Sequence, residues 1–395
     1  MNKKTLLVLA ASIYQIPTIA TAKRLEYRVI TTDDVPSNPG HALSDQSYGV
    51  STIDQQAVLE IARQENIDGI IAPCTDVAVP TSAYVAEQLG LQGVPLECAN
   101  TVFDKIAFRE FLNRHAFPAP KSYPITLNYQ PNADLFRHSW IMKPDRSSGS
   151  KGIFIVRSLS DFYQYLPETL RFSPTARGIL EEFIDGFQGT CEGIVNQGEL
   201  ALTFILDRRT VNPPHVATCG HHLPSALPPQ LQEKLLVILK KIWHLLGVTD
   251  GLFDCDFVAT ENEIYILEIS PRLGGNSIAT LLKKATGFNI VEYSVKQACG
   301  EVTHLPTTVN IRPTSVVLLG VEKEGRLSYN QTELEALRQE VWVDSLSIDF
   351  AWGELVYPFI HGRNRVGEAL IFGNNRNDLD NKVRELKQRL QLEGI

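Results

Sequence analysis

Asp256, Glu268 and Arg272 are the residues whose types and spacing most directly suggest chemistry. Apolar runs at 253–259 and 264–269 flank the polar residues 260–263, so this segment is predicted to form a β-hairpin. A three- or five-residue loop would place the two acids directly opposite each other, and a four-residue loop would offset them by one position. Such a pair suits Mg²⁺, which takes oxygen ligands and often keeps water or phosphate in its remaining positions. The alternative is a solvated hairpin face whose acids form a surface ion pair with the arginine.

The composition limits the classes of protein that fit. The chain has 395 residues, enough for two or three domains that each bury a core. Its formal net charge of −8 gives no general basic surface, so neither nucleic acid nor a membrane surface is expected as a partner. The six cysteines are scattered without C-x-x-C spacing and are predicted to be reduced thiols rather than zinc ligands or disulfides. Small molecules are therefore the expected partners.

The first residues imitate a secretory signal peptide, with Lys3 and Lys4 before an apolar run. Ser12, Tyr14 and Pro17 interrupt that run, and the segment better fits a strand, a helix and a second strand. The sequence contains no run of about 18 apolar residues, so no membrane span is expected. We therefore expect a cytoplasmic protein.

The chain is predicted to contain three regions. Residues 1–98 alternate strand and helix patterns and fit a Rossmann-like α/β domain with a parallel sheet. The turn after the first strand lacks the G-x-G-x-x-G pattern, so a dinucleotide cofactor is a poor fit. Residues 99–305 become strand-rich after a helix at 104–115, and a long amphipathic helix at 229–246 precedes the hairpin. Residues 306–395 fit a small α+β domain that ends in a charged helix.

A loop of small residues follows the strand that ends at Lys143, and it has the sequence Asp145-Arg146-Ser147-Ser148-Gly149-Ser150-Lys151-Gly152. Its backbone N–H groups, hydroxyls and lysine are groups that bind phosphate oxygens, although a flexible hairpin is the commoner use of such a loop. It is not a Walker A loop, because the G-x-x-x-x-G-K-[ST] spacing is absent and a strand follows. Further on, an apolar strand carries Glu181 and Glu182, which could accept hydrogen bonds from an adenine amino group or a ribose hydroxyl.

The order of these elements is more specific than any one of them. Lys105, Lys143 with its glycine loop, the acidic strand at 181–184, Asp256, and Glu-x-Ser-Pro-Arg at 268–272 together resemble the ATP-grasp superfamily over about residues 100–300. The hairpin resembles that superfamily's metal-binding signature, normally E-x-N-P-R. The resemblance implies a central two-lobed ATP-grasp fold with lobes at about 99–186 and 187–305. It is closest in type to carboxylate–amine ligases of the amino-acid-ligase and carbamoyl-phosphate-synthase-like groups.

The resemblance also implies a role for each matching residue. ATP and Mg²⁺ would be bound, with Mn²⁺ as an alternative ion, and Arg272 would steady the transferring phosphoryl group and the acyl intermediate. The implied nucleotide-binding residues are Lys105, Lys143, Ser147, Ser148, Gly149, Ser150, Gly152, Glu181, Glu182, Phe183, Ile184 and, for the ribose, either Gln188 or Glu192. The implied metal ligands are Asp256, Glu268 and Ser270.

Four residues leave alternatives open. Ser270 stands where the superfamily usually has Asn, and its shorter hydroxyl would weaken metal binding or activity. His221 lies where related amino-acid ligases have a substrate-facing histidine, but a turn histidine without a role fits equally well. Arg208 and Arg209 could receive a substrate carboxylate, although a solvated strand end is the favoured interpretation.

These features predict an ATP-dependent carboxylate–amine ligase that forms an amide or peptide bond through an acyl phosphate and releases ADP and phosphate. Its substrates would be an amino acid or small carboxylic acid and an amine, and a homodimer is an open option. One alternative moves the substrate to a purine intermediate, as in ATP-grasp carboxylases and formyltransferases. Another is a non-catalytic ATP-binding regulator in which Ser270 marks lost catalysis.

Overall fold

A computed structural model describes residues 3–212, 215–301 and 304–395. Its first elements are β1 (Thr5–Leu9), α1 (Ile16–Arg24), β2 (Arg28–Thr32), β3 (Gln46–Tyr48), α2 (Gln55–Gln64), β4 (Gly69–Ile71) and α3 (Val79–Leu89). The strands form a parallel sheet in the order β3-β2-β1-β4. Every residue of β1 is buried, as expected for a central strand that is covered on both faces. The predicted Rossmann-like parallel sheet is thereby confirmed.

A second, antiparallel sheet follows two helices. These elements are α4 (Leu96–Phe103), α5 (Lys105–Arg114), β5 (Ser122–Ile125), β6 (Trp140–Pro144), β7 (Phe154–Val156), α6 (Leu159–Arg171) and β8 (Gly178–Glu182). The strands are ordered β5-β8-β6-β7, and α6 packs its apolar face against them. The Asp104 carboxylate caps α5 by accepting hydrogen bonds from the N–H groups of Ile106 and Ala107, which fixes the first turn of that helix.

The rest of the chain builds a large mixed unit. Its elements are β9 (Phe187–Asn196), β10 (Glu199–Thr210), β11 (Thr218–Leu223), α7 (Pro229–Leu245), β12 (Gly251–Ala259), β13 (Ile264–Ser270), α8 (Ile278–Thr286), α9 (Ile290–Ala298), β14 (Thr314–Leu319), β15 (Gly325–Ser328), α10 (Gln331–Arg338), β16 (Val343–Ile348), β17 (Leu355–Val356), β18 (Gly367–Phe372), α11 (Arg376–Leu390) and β19 (Glu393–Gly394). Eight of the strands form one sheet in the order β13-β12-β9-β10-β11-β14-β18-β16.

That sheet crosses the predicted boundary between the central and C-terminal regions. β11 pairs with β14 in antiparallel register, so strands from both sides of position 305/306 share hydrogen bonds. The C-terminal strands β15, β17 and β19 form a separate small sheet. The division of the chain into domains stays a prediction, whereas the mixed α/β and α+β class is confirmed.

The strand β12 shows how the large sheet separates core from cleft. Its alternate residues Phe253, Cys255 and Phe257 pack in the core against α7, which contributes the buried Trp243. The intervening residues therefore point to the opposite face of the sheet. That face carries the acids of the predicted site.

A β-bulge sets the register of the hairpin formed by β12 and β13. The loop is Thr260–Glu263, so a regular ladder would place Asp256 opposite Leu267. Phe257 still pairs with Ile266 in this regular register. The register then shifts by one residue between Phe257 and Asp256, so that Asp256 pairs with Glu268. Leu267 is the extra residue of the bulge. The bulge turns the expected one-position offset into direct opposition of the two acids.

None of the helices in the described part of the chain is both long enough and apolar enough to cross a membrane.

Close packing of two β-strands predicts a requirement for glycine at position 193. A Cβ added to Gly193 would overlap the ring of Phe253, which is fully buried. We expect Gly193→Ala to lower the free energy of unfolding by roughly 1–3 kcal/mol through overpacking. Gly49→Ala is the control, because no atom lies within 4 Å of the added methyl group. Urea denaturation followed by circular dichroism measures both, and equal stability of the two variants would contradict the packing argument.

Candidate functional site

A cleft of about 910 Å³ lies where the parallel sheet, the two antiparallel sheets and the C-terminal region meet. The predicted site residues that line it are Lys105, Lys143, Ser147, Ser148, Gly149, Ser150, Glu181, Glu182, Phe183, Ile184, Gln188, His221, Asp256, Glu268, Ser270 and Arg272. Two predicted residues do not line it. Gly152 lies at the base of its loop, where a Cβ would meet Phe172, and Glu192 lies beneath Gly274.

Asp256 and Glu268 face this cleft with the protein's own cations beside them. The Asp256 carboxylate accepts a 2.6 Å hydrogen bond from the Thr190 hydroxyl and lies 3.4 Å from Nε of Arg208. Glu268 accepts a 3.3 Å hydrogen bond from Nζ of Lys105. Their side chains are 29% and 36% exposed, so both carboxylates are accessible from the cleft. Each acid is already partly neutralised by a cation from another element.

The donor set of the two acids fits a hard cation. Within residues 3–212, 215–301 and 304–395, no three His, Cys, Asp or Glu side chains are grouped so as to hold a metal ion. Asp256 and Glu268 would supply two oxygen ligands, and phosphate oxygens and water would complete the coordination shell, which is the usual arrangement for Mg²⁺. Ser270 lies on the same strand, opposite Asp254, and is 5% exposed.

Glu181 connects two buried cations at the wall of the cleft. Its Oε2 accepts a 2.6 Å hydrogen bond from Lys143, and its Oε1 accepts a 2.8 Å hydrogen bond from Arg109. Burial acts to raise the pKa of Glu181, but Arg109 and Lys143 outweigh it and lower the pKa to about 2. Because both carboxylate oxygens are used, Glu181 holds Lys143 in place. Contact with an adenine base stays a prediction for Glu182, Phe183 and Ile184, which line the cleft.

The loop after Lys143 folds tightly over the cleft. Gly149 has a φ of +69° and Ser150 a φ of +58°, the left-handed region in which glycine is favoured. Nζ of Lys105 donates to the carbonyl oxygen of Ser147 at 3.2 Å, which connects the loop to the Glu268 side of the site. Burial, and then Arg363, lowers the pKa of Lys151. The loop thus brings small residues and cations to one end of the cleft.

The structure separates the two candidates for a ribose contact. Gln188 lines the cleft, and its Oε1 accepts a hydrogen bond from Arg208. Glu192 is 1% exposed and accepts a 2.7 Å hydrogen bond from the N–H of Gly274. Because Glu192 is covered, the ribose role is proposed for Gln188.

Arg272 is fixed by acids from two parts of the protein. Its Nε donates to Asp76 at 2.8 Å, its Nη2 lies 2.6 Å from the same oxygen, and its Nη1 donates to Asp254 at 2.7 Å. A further bond from Nη1 reaches the Leu273 carbonyl oxygen at 3.0 Å. These contacts use four of the five N–H groups of the guanidinium, which leaves one on Nη2. Asp76 belongs to the loop after β4, so the N-terminal sheet helps to orient Arg272.

The neighbourhood of Arg272 contains a second, buried acid pair. Burial, and then the neighbouring Asp254, raises the pKa of Glu192, and burial raises the pKa of Asp254 to about 6. Burial also acts to raise the pKa of Asp76, but Arg272 outweighs it and the pKa is lowered. The N–H and Sγ of Cys74 donate to the carbonyl oxygens of residues 273 and 274 at 3.2 and 3.1 Å. The loop at 74–76 therefore lies directly along the segment that carries Arg272.

His221 and Arg208 lie side by side on β11 and β10. His221 is 2% exposed, and neither ring nitrogen has a hydrogen-bond partner among the described residues. Burial lowers the pKa of His221 to about 4, so the ring is neutral at neutral pH. Arg208 donates to Thr218 at 2.8 Å and is 11% exposed, so the favoured interpretation of a solvated strand end is wrong for it. Arg209 is 53% exposed and fits that interpretation.

Sequence reasoning missed Asp76, Arg109 and Asp254. Asp76 and Arg109 act on residues that are more than 70 positions away in the chain, and no local pattern reveals such pairs. Asp254 had a usable signal, because it stands two positions before Asp256 on the same face of a predicted strand.

This chain is similar to known proteins in sequence and in fold. A family model described as an ATP-grasp domain matches residues 102–276. The formate-dependent phosphoribosylglycinamide formyltransferase of a Nitratiruptor species is 25% identical over 280 residues, which cover 67% of this chain and 68% of that protein. The solved L-amino acid ligase of Bacillus licheniformis has a TM-score of 0.81 and 18% identity, covering 100% of this chain and 99% of that one. The phosphoribosylglycinamide synthetase of Anaerococcus prevotii has a TM-score of 0.76 and 18% identity over 100% of both chains.

The contact between Asp76 and Arg272 predicts a kinetic effect of a change in the N-terminal sheet. Asp76→Asn removes the anion that fixes one edge of the guanidinium, so we expect turnover to fall by roughly 10²-fold through misplacement of Arg272. The KM for nucleotide should change less than about threefold, because Asp76 is hydrogen-bonded to Arg272, whereas Lys105 and Lys143 are hydrogen-bonded to other residues. Steady-state kinetics measures both, with the exposed Glu87→Gln on α3 as control. Unchanged turnover in Asp76→Asn would show that the ion pair is not needed.

The lowered pKa of Glu181 predicts sensitivity to acid. Because the pKa falls from 4.5 to about 2 on folding, the stability it contributes is present above pH 4.5 and is lost as the pH falls toward 2. Between pH 5 and pH 3 the wild type should lose roughly 2 kcal/mol more unfolding free energy than Glu181→Gln, whose side chain does not titrate. Urea titrations at each pH test this, with Glu182→Gln as control. Parallel pH profiles for wild type and Glu181→Gln would refute it.

Proposed function

We propose that this chain, whose residues 102–276 match an ATP-grasp domain model, is a ligase that joins a carboxylate to an amine through an acyl phosphate, with cleavage of ATP to ADP and phosphate. The observation that carries this proposal is the register of the hairpin, which sets Asp256 directly opposite Glu268. The same cleft contains Lys105 and Lys143. A carboxylate pair beside two lysines suits the transfer of a phosphoryl group.

The first half-reaction forms the acyl phosphate. The carboxylate oxygen of the substrate attacks the γ-phosphorus in line, the bond to the β–γ bridging oxygen breaks, and ADP leaves. Mg²⁺ held by Asp256 and Glu268 would neutralise charge on the phosphate oxygens. Lys105 and Lys143 would bind the phosphates, and the loop at 147–152 would exclude water that could hydrolyse the product.

The second half-reaction forms the amide. The amine attacks the acyl carbon, the bond to the phosphate oxygen breaks, and phosphate leaves. The remaining Nη2 hydrogen of Arg272 would stabilise the oxyanion, a contribution whose loss typically costs about 10²–10³ in rate. The proton released by the amine would leave with the phosphate, and His221, whose ring lines the cleft without a partner among the described residues, would contact the substrate as a neutral imidazole.

Substrate choice is the finer part of the proposal, and an amino acid or small carboxylic acid is the first candidate. The L-amino acid ligase has the higher TM-score of the two superposed structures, which agrees with this candidate but shows the fold alone. A purine-type substrate is the second candidate, because the formyltransferase relative acts on a phosphoribosyl compound by its name. Lys151 and Arg363 give some support to a purine-type substrate that carries a phosphate group. Both line the cleft, so they could bind a substrate phosphate.

We also propose a cytoplasmic location, because all six cysteines are free thiols and four of them are buried. A homodimer stays a prediction of the sequence. The remaining alternative is a non-catalytic ATP-binding regulator in which Ser270 marks lost catalysis. That role would require tight nucleotide binding without turnover.

Nucleotide product analysis tests the proposed function. The protein is incubated with ATP, Mg²⁺ and pooled amino acids, with formate and bicarbonate in separate pools, and single groups are then omitted. We expect ADP and phosphate to appear only with a carboxylate and an amine together. Glu268→Gln should abolish turnover and leave the fold intact, because an amide is a poor ligand for Mg²⁺.

The matched control is Glu261→Gln, an exposed acid in the loop of the same hairpin. Formation of AMP and pyrophosphate would overturn the acyl-phosphate mechanism. Turnover that depends on formate or bicarbonate would favour the purine-type alternative. Full activity of Glu268→Gln would remove the metal assignment.

A further inference from the structure

Arg109 is a buried arginine one helical turn after Lys105 on α5. It is 2% exposed, and its guanidinium binds three acceptors. Nε donates to Glu181 at 2.8 Å, Nη1 donates to the Ile266 carbonyl oxygen at 2.7 Å, and Nη2 donates to the Leu267 carbonyl oxygen at 2.9 Å. Lys105 and Arg109 are four residues apart and therefore lie on one face of the helix. Arg109 does not line the cleft, but each of its partners belongs to a strand that does.

Two of those partners are the carbonyl groups at the β-bulge. Counting from the hairpin loop along β13, Ile266 is the last residue that pairs with β12 before the register shifts. Leu267 comes next and is the extra residue of the bulge, without a partner on β12. A bulge disrupts the ladder locally, and a buried carbonyl group without a donor is unfavourable. The forked guanidinium of Arg109 supplies a donor to each carbonyl group. It thereby stabilises the one local irregularity that brings Glu268 opposite Asp256.

The third partner leads to the nucleotide side of the cleft. Glu181 is fully buried and its second oxygen binds Nζ of Lys143 at 2.6 Å. One carboxylate therefore balances two buried cations. Loss of the Arg109 charge would leave Lys143 as the single cation bound to Glu181, and the position of Lys143 would respond to any movement of that carboxylate.

We propose that Arg109 is a positioning residue that couples the two halves of the site, since it fixes the bulge that places Glu268 and the carboxylate that places Lys143. The proposal rests on the proposed function only in taking the ligands to be a nucleotide and Mg²⁺. Arg109 itself touches neither. Its effect is therefore expected in the dependence of nucleotide binding on metal.

The test measures the dissociation constant of ADP by calorimetry with Mg²⁺ and with EDTA. The ratio of the EDTA value to the Mg²⁺ value reports how strongly the metal supports binding. Arg109→Lys keeps the charge near Glu181, but a single ammonium group cannot reproduce the fork across two carbonyl groups. We expect this variant to lower the ratio at least tenfold. Arg114→Lys, in the exposed last turn of the same helix, should leave both constants within about twofold of wild type.

Glu181→Gln is the second variant and affects the other half of the coupling. It leaves the contacts between Arg109 and the bulge in place and weakens the hold on Lys143. We expect ADP binding in EDTA to weaken at least fivefold, with the ratio changed less than about threefold. This pattern keeps the proposal testable if Arg109→Lys does not fold, because unchanged ADP binding in Glu181→Gln would overturn the link to Lys143.

The outcomes separate this inference from the proposed function. A wild-type protein whose ADP affinity does not increase with Mg²⁺ would contradict the proposed function itself. A normal wild-type ratio that Arg109→Lys retains would contradict only the role of Arg109. A lower melting temperature with unchanged affinities would mean that Arg109 serves stability alone, which also overturns the proposal.

Discussion

The register of one β-hairpin is the constraint on which the site depends. Side chains alternate between the two faces of a strand, so a hairpin without the bulge would turn Glu268 to the core face, where Ile264 and Ile266 lie. The four-residue loop Thr260–Glu263 would produce that wrong register without further help. The bulge at Leu267 restores it. The burial of β13 shows the same shift. Before the bulge the core residues are the even-numbered Ile264 and Ile266, and after the bulge the core residue is the odd-numbered Ile269.

Charge compensation is the second organising principle. Glu268 has Lys105 as a partner, Asp256 has Arg208, and Arg272 lies between Asp76 and Asp254. Buried or half-buried charges are tolerated because each has an opposite charge nearby. An incoming divalent cation would compete with Lys105 and Arg208 for the two acids. These side chains would then be free to bind phosphate oxygens, so metal and nucleotide binding would support each other.

Much of this arrangement could be predicted from the sequence, because it is local. The helix predicted at 229–246 is α7 (Pro229–Leu245), and the hairpin follows from two apolar runs with a polar loop. The sequence did not decide whether Asp256 and Glu268 lie directly opposite each other, because the answer depended on the length of the hairpin loop. The bulge that decides it was hidden, because Leu267 is as apolar as a core residue.

What could not be predicted depends on contacts between distant parts of the chain. The strand β11 was not predicted, so His221 had a turn as its alternative and the structure places it in a sheet. Asp76 approaches Arg272 only because the loop after β4 packs against residues 273 and 274. The continuous sheet across position 305/306 has the same origin, since β11 and β14 are separated by about 90 residues of intervening chain.

The most direct measurement is a crystal structure of the protein with Mg²⁺ and ADP. Our account predicts a metal ion bound by both Asp256 and Glu268 and by a phosphate oxygen, with Nζ of Lys105 moved from Glu268 to the nucleotide. It also predicts that the bulge at Leu267 and its contacts with Arg109 are unchanged. Nucleotide in the cleft with the metal held by other residues, and with Lys105 still paired to Glu268, would contradict the central claim.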